Sequence, residues 1–302
     1  MKRKQIDLFA VVSMIILCAI WGLQQVSIKS IIFDISPVLQ GAIRSLIATL
    51  AVYILIRYQK IPLSLSASVY KYGALAGLLF GLEFLFVNEG LKYTSAAHIS
   101  VFIYTSPIFA VLGMGLFLPE ERLTSKQWGG VFLCFIGILI ALFWGHQSTG
   151  DQISLKGDVL GLLAGLSLGA TTVVIRCTKL GYAPATHLLF FQVLGATLLL
   201  GIYAVITNQL NFKVTLFSIS NLLFQGLIVS FASFLMWFHL IRTYYVSQVG
   251  NIGFLTPIFG VIFSVLLLGE KLTISFMIGG FFVVFGVIYL SFSPKEKIES
   301  TA

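Results

Sequence analysis

Ionisable side chains inside long apolar segments are the residues of this sequence best placed to do chemistry. Arg44 lies in the apolar segment 37–57 and Glu83 in the segment 70–90, each about seven residues from the end expected to reach the same face. At about 1.5 Å per residue, both would lie roughly 10 Å below that face. A buried charge is costly unless it is neutralised. The spacing leaves three alternatives, which are a structural ion pair, a pair that faces a central cavity, and no contact.

Proton coupling needs a carboxylate or an imidazole whose protonation changes between two states. Glu83 is the main candidate for this role, and His98 and His239 are further candidates. A lone histidine in an apolar helix is more often a hydrogen-bonded packing residue. Glu89 is followed three residues later by Lys92, which predicts an ion pair along one helix face rather than a coupling group.

Polar and aromatic side chains in the same apolar segments are candidates for binding a small molecule. Small metabolites need amide or hydroxyl partners, one charged partner and aromatic walls. Trp21 and Gln25 are four residues apart and share a helix face, and Gln24 lies on the same side. The candidate substrate-binding residues are Trp21, Gln24, Gln25, Arg44, Glu83, Tyr104, Trp237 and Asn251.

The composition indicates whether these residues lie in a membrane or in a water-soluble domain. Of 302 residues, 58% are apolar and 10% charged, and the mean hydropathy is +0.99, whereas soluble domains carry about 25% charged residues. We therefore expect an all-α integral membrane protein. A transmembrane helix needs about 20 apolar residues, and ten segments qualify: 8–28, 37–57, 70–90, 97–118, 127–145, 157–178, 184–207, 218–240, 247–269 and 273–293.

The positive charges predict orientation rather than a nucleic-acid partner. The net charge is +8, but the basic residues lie singly between apolar segments. If the N-terminus is cytoplasmic, 13 basic residues fall on the cytoplasmic side and 5 on the other, with Arg44 inside a helix. Lysine and arginine favour cytoplasmic loops. Both termini are therefore expected in the cytoplasm, and the five on the opposite side are Lys29, Lys92, Lys156, Lys213 and Lys271.

The chain contains an internal repeat at a constant offset of 150 residues. Residues 105–135 and 255–285 both read Pro-Ile-Phe, an apolar run, Glu, Leu-Thr and then Gly-Gly. Five spans per copy is an odd number, so the second copy is expected to cross the membrane in the opposite direction. Secondary transporters use such inverted repeats to form two access states. The sequence therefore predicts ten transmembrane helices as two inverted five-helix repeats, 1–148 and 149–302.

Proline and glycine predict how these helices bend and pack. Pro107 and Pro257 lie within the fourth and ninth segments, where each removes one backbone hydrogen bond and favours a kink. The kinks are either packing features or gates beside a cavity. Glycines recur every four residues through the third and sixth segments, which indicates close helix contact. This contact is either fixed packing or a sliding surface, and the glycines are Gly73, Gly77, Gly81, Gly157, Gly161, Gly165 and Gly169.

Cofactor chemistry has little support in the sequence. The three cysteines Cys18, Cys134 and Cys177 lie in apolar runs without metal-ligand spacing or a disulfide framework. No phosphate-binding Gly-x-x-x-x-Gly-Lys loop is present, so no ATPase subunit is expected. An intramembrane enzyme would need a converging nucleophile and base or a metal cluster. The sequence favours transport over this alternative, and predicts neither a metal nor a cofactor.

The chain resembles the EamA-type branch of the drug/metabolite transporter superfamily. The resemblance rests on Ala19-Ile-Trp-Gly22 with Lys29, on Arg44, on Leu91-Lys-Tyr-Thr-Ser-Ala96, and on the two repeated Pro-Ile-Phe passages. In the second copy, Gly169-Ala-Thr-Thr172 replaces Trp-Gly, so the first-segment motif is not carried over. The resemblance covers nearly the whole chain.

This resemblance implies a ten-helix secondary transporter in a bacterial-type cytoplasmic membrane. Its substrates would be small metabolites, such as amino acids or related compounds, with export favoured. A channel-like facilitator, a drug efflux carrier and, more remotely, an intramembrane enzyme remain the alternatives. The expected partners are the substrate and membrane lipid, and the sequence leaves the oligomeric state open.

Overall fold

The computed structural model describes residues 4–61, 65–118, 123–143 and 155–292, and this part of the chain is helical throughout apart from short connections. A 3₁₀ turn covers Lys179–Tyr182 and a π-helical stretch covers Phe224–Ser233. The α-helices are α1 Leu8–Ser30, α2 Pro37–Tyr58, α3 Ala67–Gly90, α4 Ala96–Ile103, α5 Ser106–Phe117, α6 Ser125–Phe143, α7 Leu155–Cys177, α8 Ala185–Ile206, α9 Leu216–Leu223, α10 Phe234–Thr243, α11 Val246–Ile252, α12 Leu255–Leu268 and α13 Ile274–Phe292.

These helices make a multi-pass membrane protein. Within the described residues, eight helical segments are long and apolar enough to cross a membrane, and three of them combine consecutive helices, namely α4–α5, α9–α10 and α11–α12. Two shorter apolar helices cover Gln127–Leu142 and Ile274–Leu290. The ten predicted segments therefore all coincide with apolar helices, within a few residues at each end. Glu120, in the first repeated turn, lies outside the described residues.

Small residues bring particular helices into close contact. A Cβ atom added to Gly22 in α1 would lie 2.7 Å from the backbone nitrogen of Gly260 in α12. One added to Gly165 in α7 would lie 2.9 Å from the carbonyl oxygen of Phe102 in α4. Side chains at these positions would push the helices apart. Both glycine ridges predicted from the sequence lie in close helix contact: the α3 ridge at Gly73, Gly77 and Gly81 packs against α8, and the α7 ridge packs against α4 and α5. The contact between α1 and α12 at Gly22 and Gly260 was not predicted.

The kinks predicted at the two prolines occur as complete breaks. The first separates α4 from α5 at Tyr104 and Thr105, before Pro107, and the second separates α11 from α12 at Gly253 and Phe254, before Pro257. Proline has no N–H to donate to the carbonyl four residues earlier. The chain therefore leaves helical geometry and begins a new helix with proline in its first turn.

Polar residues near the two ends of α1 define two opposite faces of the protein. The Asp7 face is defined by Asp7, which caps the start of α1, together with Lys4 and Tyr244, which form an isolated β-bridge. The Lys29 face is defined by Lys29 near the end of α1 and the contacts around it. Helix α1 has 23 residues, so the two faces are roughly 35 Å apart, about the thickness of a bilayer core.

Candidate functional site

A cavity of about 320 Å³ lies between the helices, and the α1 residues that line it are Trp21, Gln24 and Gln25, in the half of α1 nearer the Lys29 face. Its wall is built from α1, α3, α4, α5, α7, α10, α11, α12 and both helix breaks. Six of the predicted substrate-binding residues line it, and these are Trp21, Gln24, Gln25, Glu83, Tyr104 and Trp237. The structure therefore brings together side chains from both halves of the chain, as the sequence reasoning required.

Three buried polar atoms along this wall have no hydrogen-bond partner among the described residues. They are Oε1 of Gln25, Oε2 of Glu83 and Oγ1 of Thr256. All three residues are less than a tenth exposed. Leaving a buried polar group unpaired costs about 1–3 kcal/mol, and such groups usually bind water or a ligand. The residues that line the cavity thus include three oxygen atoms without a hydrogen-bond partner in the described parts of the chain.

Aromatic rings form the apolar part of the wall. The ring of Trp21 lies 5.8 Å from that of Trp237 in an edge-on arrangement and 6.1 Å from that of Phe234. The indole Nε1 of Trp21 donates a 2.9 Å hydrogen bond to Oγ of Ser233, at the end of the π-helical stretch. The π-helical geometry thus positions the hydroxyl that orients Trp21. Such stretches often occur at functional sites.

Arg44 lies behind the cavity wall. Its guanidinium carbon is 3.8 Å from the centre of the Phe84 ring, and its side chain is fully buried. Arg44 attracts Glu83 electrostatically, but no guanidinium nitrogen has a hydrogen-bond partner in the described parts of the chain. Of the three alternatives left open for Arg44 and Glu83, this conformation shows no direct hydrogen bond between the two side chains, and the guanidinium stacks on Phe84 instead. Arg44 is also not among the cavity-lining residues.

The two helix breaks meet at the cavity. The hydroxyl of Tyr104 donates a hydrogen bond to the carbonyl oxygen of Gly253. Pro257 cannot donate to that oxygen, which also accepts a 2.9 Å hydrogen bond from the backbone N–H of Thr256. Of the two predicted gating residues, Pro107 lines the cavity, whereas Pro257 is buried beside it. The repeated proline predicted the two interruptions. That they contact each other was visible only in the structure.

The remaining predicted residues lie elsewhere. Asn251 is in α11 next to the second break but is not among the cavity-lining residues, and His239 is exposed on α10. His98 is buried near the start of α4, where its Nδ1 is 2.9 Å from Oδ1 of Asp158 and its ring stacks on Phe276. His98 thus belongs to a polar cluster closer to the Lys29 face than the cavity.

Sequence reasoning missed three residues of this region. Asp158 lies at the start of the predicted segment 157–178 and was not among the candidate functional residues, but it is fully buried in the first turn of α7 and accepts a 2.6 Å hydrogen bond from Thr94. Its position next to Gly157, the first glycine of the ridge, was a signal that it belongs to the packed helix. Thr256 and Ser233 carried no signal, because hydroxyl residues are common in membrane helices.

The ion pair predicted between Glu89 and Lys92 is confirmed, with 2.7 Å between Oε1 and Nζ. Gln209, in the connection after α8, joins it by donating a 2.8 Å hydrogen bond to Glu89 Oε1. This cluster lies at the end of α3, apart from the cavity. Glu89 is therefore a carboxylate outside the cavity, and substitutions at Glu89 can serve as controls for substitutions at Glu83.

Fold and site together define a multi-pass helical membrane protein with an aromatic-walled cavity. Glu83 is the only Asp, Glu, Lys, Arg or His among the described cavity-lining residues. The EamA-like transporter family matches residues 8–143 and again residues 155–292. The chain therefore belongs to the EamA-like transporter family, and it is a membrane transporter of the drug/metabolite type.

Several known proteins resemble the chain along nearly its full length. "Uncharacterized transporter YoaV" of Bacillus subtilis is 25% identical, over 92% of this chain and 95% of that protein. "Probable amino-acid metabolite efflux pump" of Salmonella typhimurium is 24% identical, over 90% of this chain and 91% of that protein. A solved crystal structure aligns with a TM-score of 0.65 at 17% identity, covering 94% of this chain and 98% of that chain. This last match shows the fold alone.

Proposed function

We propose that the protein is a secondary carrier that exports small amino compounds, amino acids or their relatives, by alternating access. The observation that carries this proposal is the cavity, whose lining combines an aromatic wall with Gln25, Glu83 and Thr256, each of which has a buried oxygen without a described hydrogen-bond partner. A volume of about 320 Å³ is at the small end of ligand pockets. It suits a single metabolite rather than a polymer.

The three oxygens favour a substrate with an ammonium group. An ammonium carries three N–H donors and no acceptor, so it can satisfy Glu83 Oε2 and Gln25 Oε1 at once. The aromatic rings of Trp21 and Trp237 stabilise a cation by cation–π attraction and also pack against its apolar part. A substrate with only anionic groups would place its charge beside Glu83 and be repelled.

Alternating access follows from the proposed architecture. In this proposal residues 1–148 and 149–302 are two five-helix repeats of opposite orientation, which together make ten transmembrane helices. Both termini lie in the cytoplasm, and the protein resides in a bacterial-type cytoplasmic membrane. The similarity to a protein named as an efflux pump supports export as the direction. Membrane lipid is the expected environment, and the substrate gradient or a proton gradient supplies the energy.

We assign any proton coupling to Glu83, because it is the charged group that faces the cavity. A proton and an ammonium group would compete for the same carboxylate, which is the simplest basis for exchange. His98 and His239, the other coupling candidates, do not line the cavity, so neither meets the substrate. Pro107 and Pro257 are proposed to act as gates because each lies in the first turn of the helix that follows a break.

Counterflow in proteoliposomes tests the proposal. Vesicles loaded with one unlabelled compound should accumulate the same labelled compound transiently, and saturably, if the protein is a carrier. The panel should contain amino acids, their decarboxylated amines, carboxylic acids of equal size and amphipathic drug cations. We expect counterflow with amino compounds and none with the acids. Transport that does not saturate would identify a channel, and transport of the drug cations alone would identify a drug carrier.

The variant Glu83→Gln makes the test specific to the site. Loss of a charged hydrogen-bond partner in a buried site should weaken binding of an amine by about tenfold or more. Glu89→Gln is the matched control, since Glu89 pairs with Lys92 outside the cavity. Equal effects of the two substitutions would exclude Glu83 as the substrate-binding carboxylate.

A further inference from the structure

Arg44 is a buried cation without a hydrogen-bond partner in the described parts of the chain. Its side chain is fully buried in α2, and the unpartnered atoms are Nε and both terminal nitrogens of the guanidinium. A guanidinium has five N–H donors and no acceptor. A buried charge is costly unless it is paired and hydrogen-bonded. The interior around Arg44 therefore has an excess of donors, which an anion would satisfy.

Asn88 adds a second unpartnered group at the same contact between α2 and α3. Its side chain is fully buried, and neither Oδ1 nor Nδ2 has a hydrogen-bond partner among the described residues. A Cβ added to Gly41 would collide with Nδ2 of Asn88, and Gly41 precedes Arg44 by about one turn of α2. In α3, Phe84 precedes Asn88 by about one turn and contacts the guanidinium. Arg44 and Asn88 therefore lie at neighbouring levels of one helix contact.

The ring of Phe84 covers the guanidinium and also lines the cavity. The guanidinium carbon of Arg44 is 3.8 Å from the centre of this ring. Phe84 is among the cavity-lining residues, whereas Arg44 is not. The Phe84 ring packs edge-on against the ring of Phe80 at 4.8 Å, and Phe80 lines the cavity as well. One side chain, that of Phe84, therefore borders both the cavity and the guanidinium.

Glu83, the residue before Phe84, supplies the opposite charge in the cavity lining. Its Oε2 has no described hydrogen-bond partner, and it attracts Arg44 without a direct hydrogen bond. An amino acid has an ammonium group with three N–H donors and a carboxylate that only accepts. Its ammonium complements Glu83, and its carboxylate complements Arg44, because a guanidinium and a carboxylate can form two parallel hydrogen bonds. A decarboxylated amine would satisfy Glu83 alone.

We propose that Arg44 is the carboxylate-binding residue of the substrate site and that Phe84 is its cover. When an amino acid enters the cavity, the Phe84 ring turns aside and Arg44 donates to the substrate carboxylate. Glu83 binds the ammonium group of the same molecule, and Nδ2 of Asn88 is a further donor beside Arg44. This inference rests on the proposed carrier function. It narrows the substrates to compounds that have both an amino group and a carboxylate.

Substrate analogues test the inference on the unaltered protein. The probes are the standard amino acids, their amides, in which a carboxamide replaces the carboxylate, and their decarboxylated amines. Each amino acid that shows counterflow should reach half-maximal counterflow at a concentration about tenfold or more below that of its amide and its amine. This is the change expected from the loss of a charged hydrogen-bond partner. Counterflow of the amides and amines at equal or lower concentrations would overturn the role of Arg44.

Substitution of Arg44 assigns this preference to the guanidinium. Arg44→Met should abolish the preference for amino acids over amines while counterflow of the amines persists. Arg44→Lys should keep part of the preference, because lysine retains the charge but lacks the planar fork of donors. Arg57→Met is the matched control, since Arg57 is an exposed arginine in the last turn of α2.

Only variants that elute as single species in size-exclusion chromatography are compared. Where Arg44→Met does not, Arg44→Lys decides, because it leaves the charge that balances Glu83 in place. An unchanged preference in the Arg44 variant, or an equal loss in Arg57→Met, would contradict the proposed site.

Phe84→Leu tests the cover. Leucine removes the ring that stacks on the guanidinium and still fills apolar space. Amino acids should then reach half-maximal counterflow at a concentration about two- to fivefold lower, the equivalent of one cation–π contact. The decarboxylated amines should be unaffected. If the concentration rises for both classes of compound, Phe84 is part of the cavity wall and not a cover.

Stabilisation by bound compounds separates this inference from the carrier proposal. An amino acid should raise the unfolding temperature of the protein in detergent by more than its amine does, and Arg44→Met should remove the difference. Counterflow that does not distinguish amino acids from amines would refute the carboxylate site and keep the carrier. A rise specific to amino acids in a protein without counterflow would keep the site and refute the carrier.

Discussion

The hydroxyl of Tyr104 donates a hydrogen bond to the carbonyl oxygen of Gly253 and so connects the two helix breaks across the cavity. Both ends of this contact result from the repeat. Pro257 cannot donate to the carbonyl oxygen of Gly253, and the break before Pro107 places Tyr104 beside the cavity. The repeated proline therefore creates a polar contact between the halves of the chain at the depth where a substrate would bind.

Tyr104→Phe should destabilise the protein by about 1 kcal/mol, the net value of one intramolecular hydrogen bond. The phenylalanine ring would occupy the same space as the tyrosine ring, so the substitution measures the contribution of the hydroxyl group alone. We expect a lower unfolding temperature in detergent and a changed counterflow rate, because the substitution loosens the link between the breaks. Tyr58→Phe, at an exposed tyrosine, is the control. A Tyr104→Phe protein indistinguishable from it would show that the contact has no energetic role.

Gly165→Ala should destabilise the contact between α7 and α4 by about 1–3 kcal/mol, the usual cost of overpacking. The added Cβ would lie 2.6 Å from Oγ1 of Thr105 and 2.9 Å from the carbonyl oxygen of Phe102. Gly201→Ala is a matched control in α8, because nothing lies within 4 Å of its added Cβ. Alanine there should stabilise the helix by about 0.5–1 kcal/mol. If both variants unfold at the same temperature, the ridge is not closely packed.

The carboxyl group of Asp7 should make the folding stability of the protein depend on pH. Its carboxylate accepts hydrogen bonds from the Ala10 N–H at 2.9 Å and from the Tyr244 hydroxyl at 2.8 Å. These hydrogen bonds hold the pKa of Asp7 below its ordinary value, and they raise the pKa of Tyr244. A carboxyl with a depressed pKa in the folded state stabilises above its unfolded pKa of about 4, and the stabilisation is lost as pH falls through the folded pKa.

Asp7→Asn should therefore lower the unfolding temperature at pH 7 by more than it does in acid, below the unfolded pKa of about 4, where the stabilisation by the carboxylate is progressively lost. Thermal unfolding in detergent at pH 7 and in acid measures the difference. Asp34→Asn is the control, because Asp34 is 3.8 Å from the largely exposed Lys213 and such surface pairs contribute little. A difference between Asp7→Asn and the parent that does not change with pH would contradict the assigned role.

Much of the fold was predictable because each physical signal was local. The apolar runs predicted the helices, and Pro107 and Pro257 predicted where two of them would be interrupted. The lining residues Trp21, Gln24 and Gln25 were predictable because they share one face of α1. The position of Asp158 and the cap that Glu270 forms at the start of α4 were not, because both depend on which helix ends meet in space. Arg44 illustrates the same limit, since depth along a helix does not determine the direction of its side chain.

Arg44 and Glu83 present a measurable case of electrostatic coupling without a direct hydrogen bond. The guanidinium is fully buried and stacks on Phe84, and its attraction to Glu83 acts through a low-dielectric interior. Removal of one partner of a buried charge pair leaves the other charge without compensation, which is strongly destabilising. The losses of stability caused by the two single substitutions should therefore add up to more than the loss caused by the double substitution.

A double-mutant cycle with Arg44→Met and Glu83→Gln should give a coupling free energy of about 1 kcal/mol or more, within the range for interacting residues. The double variant would lose less stability than the sum of the singles, because it contains neither buried charge. Unfolding temperatures of the four proteins, at one pH and one detergent concentration, supply the values. The cycle of Arg44→Met with Glu89→Gln should be additive, since Glu89 pairs with Lys92 instead. Additivity in the Glu83 cycle would show that Arg44 and Glu83 act independently.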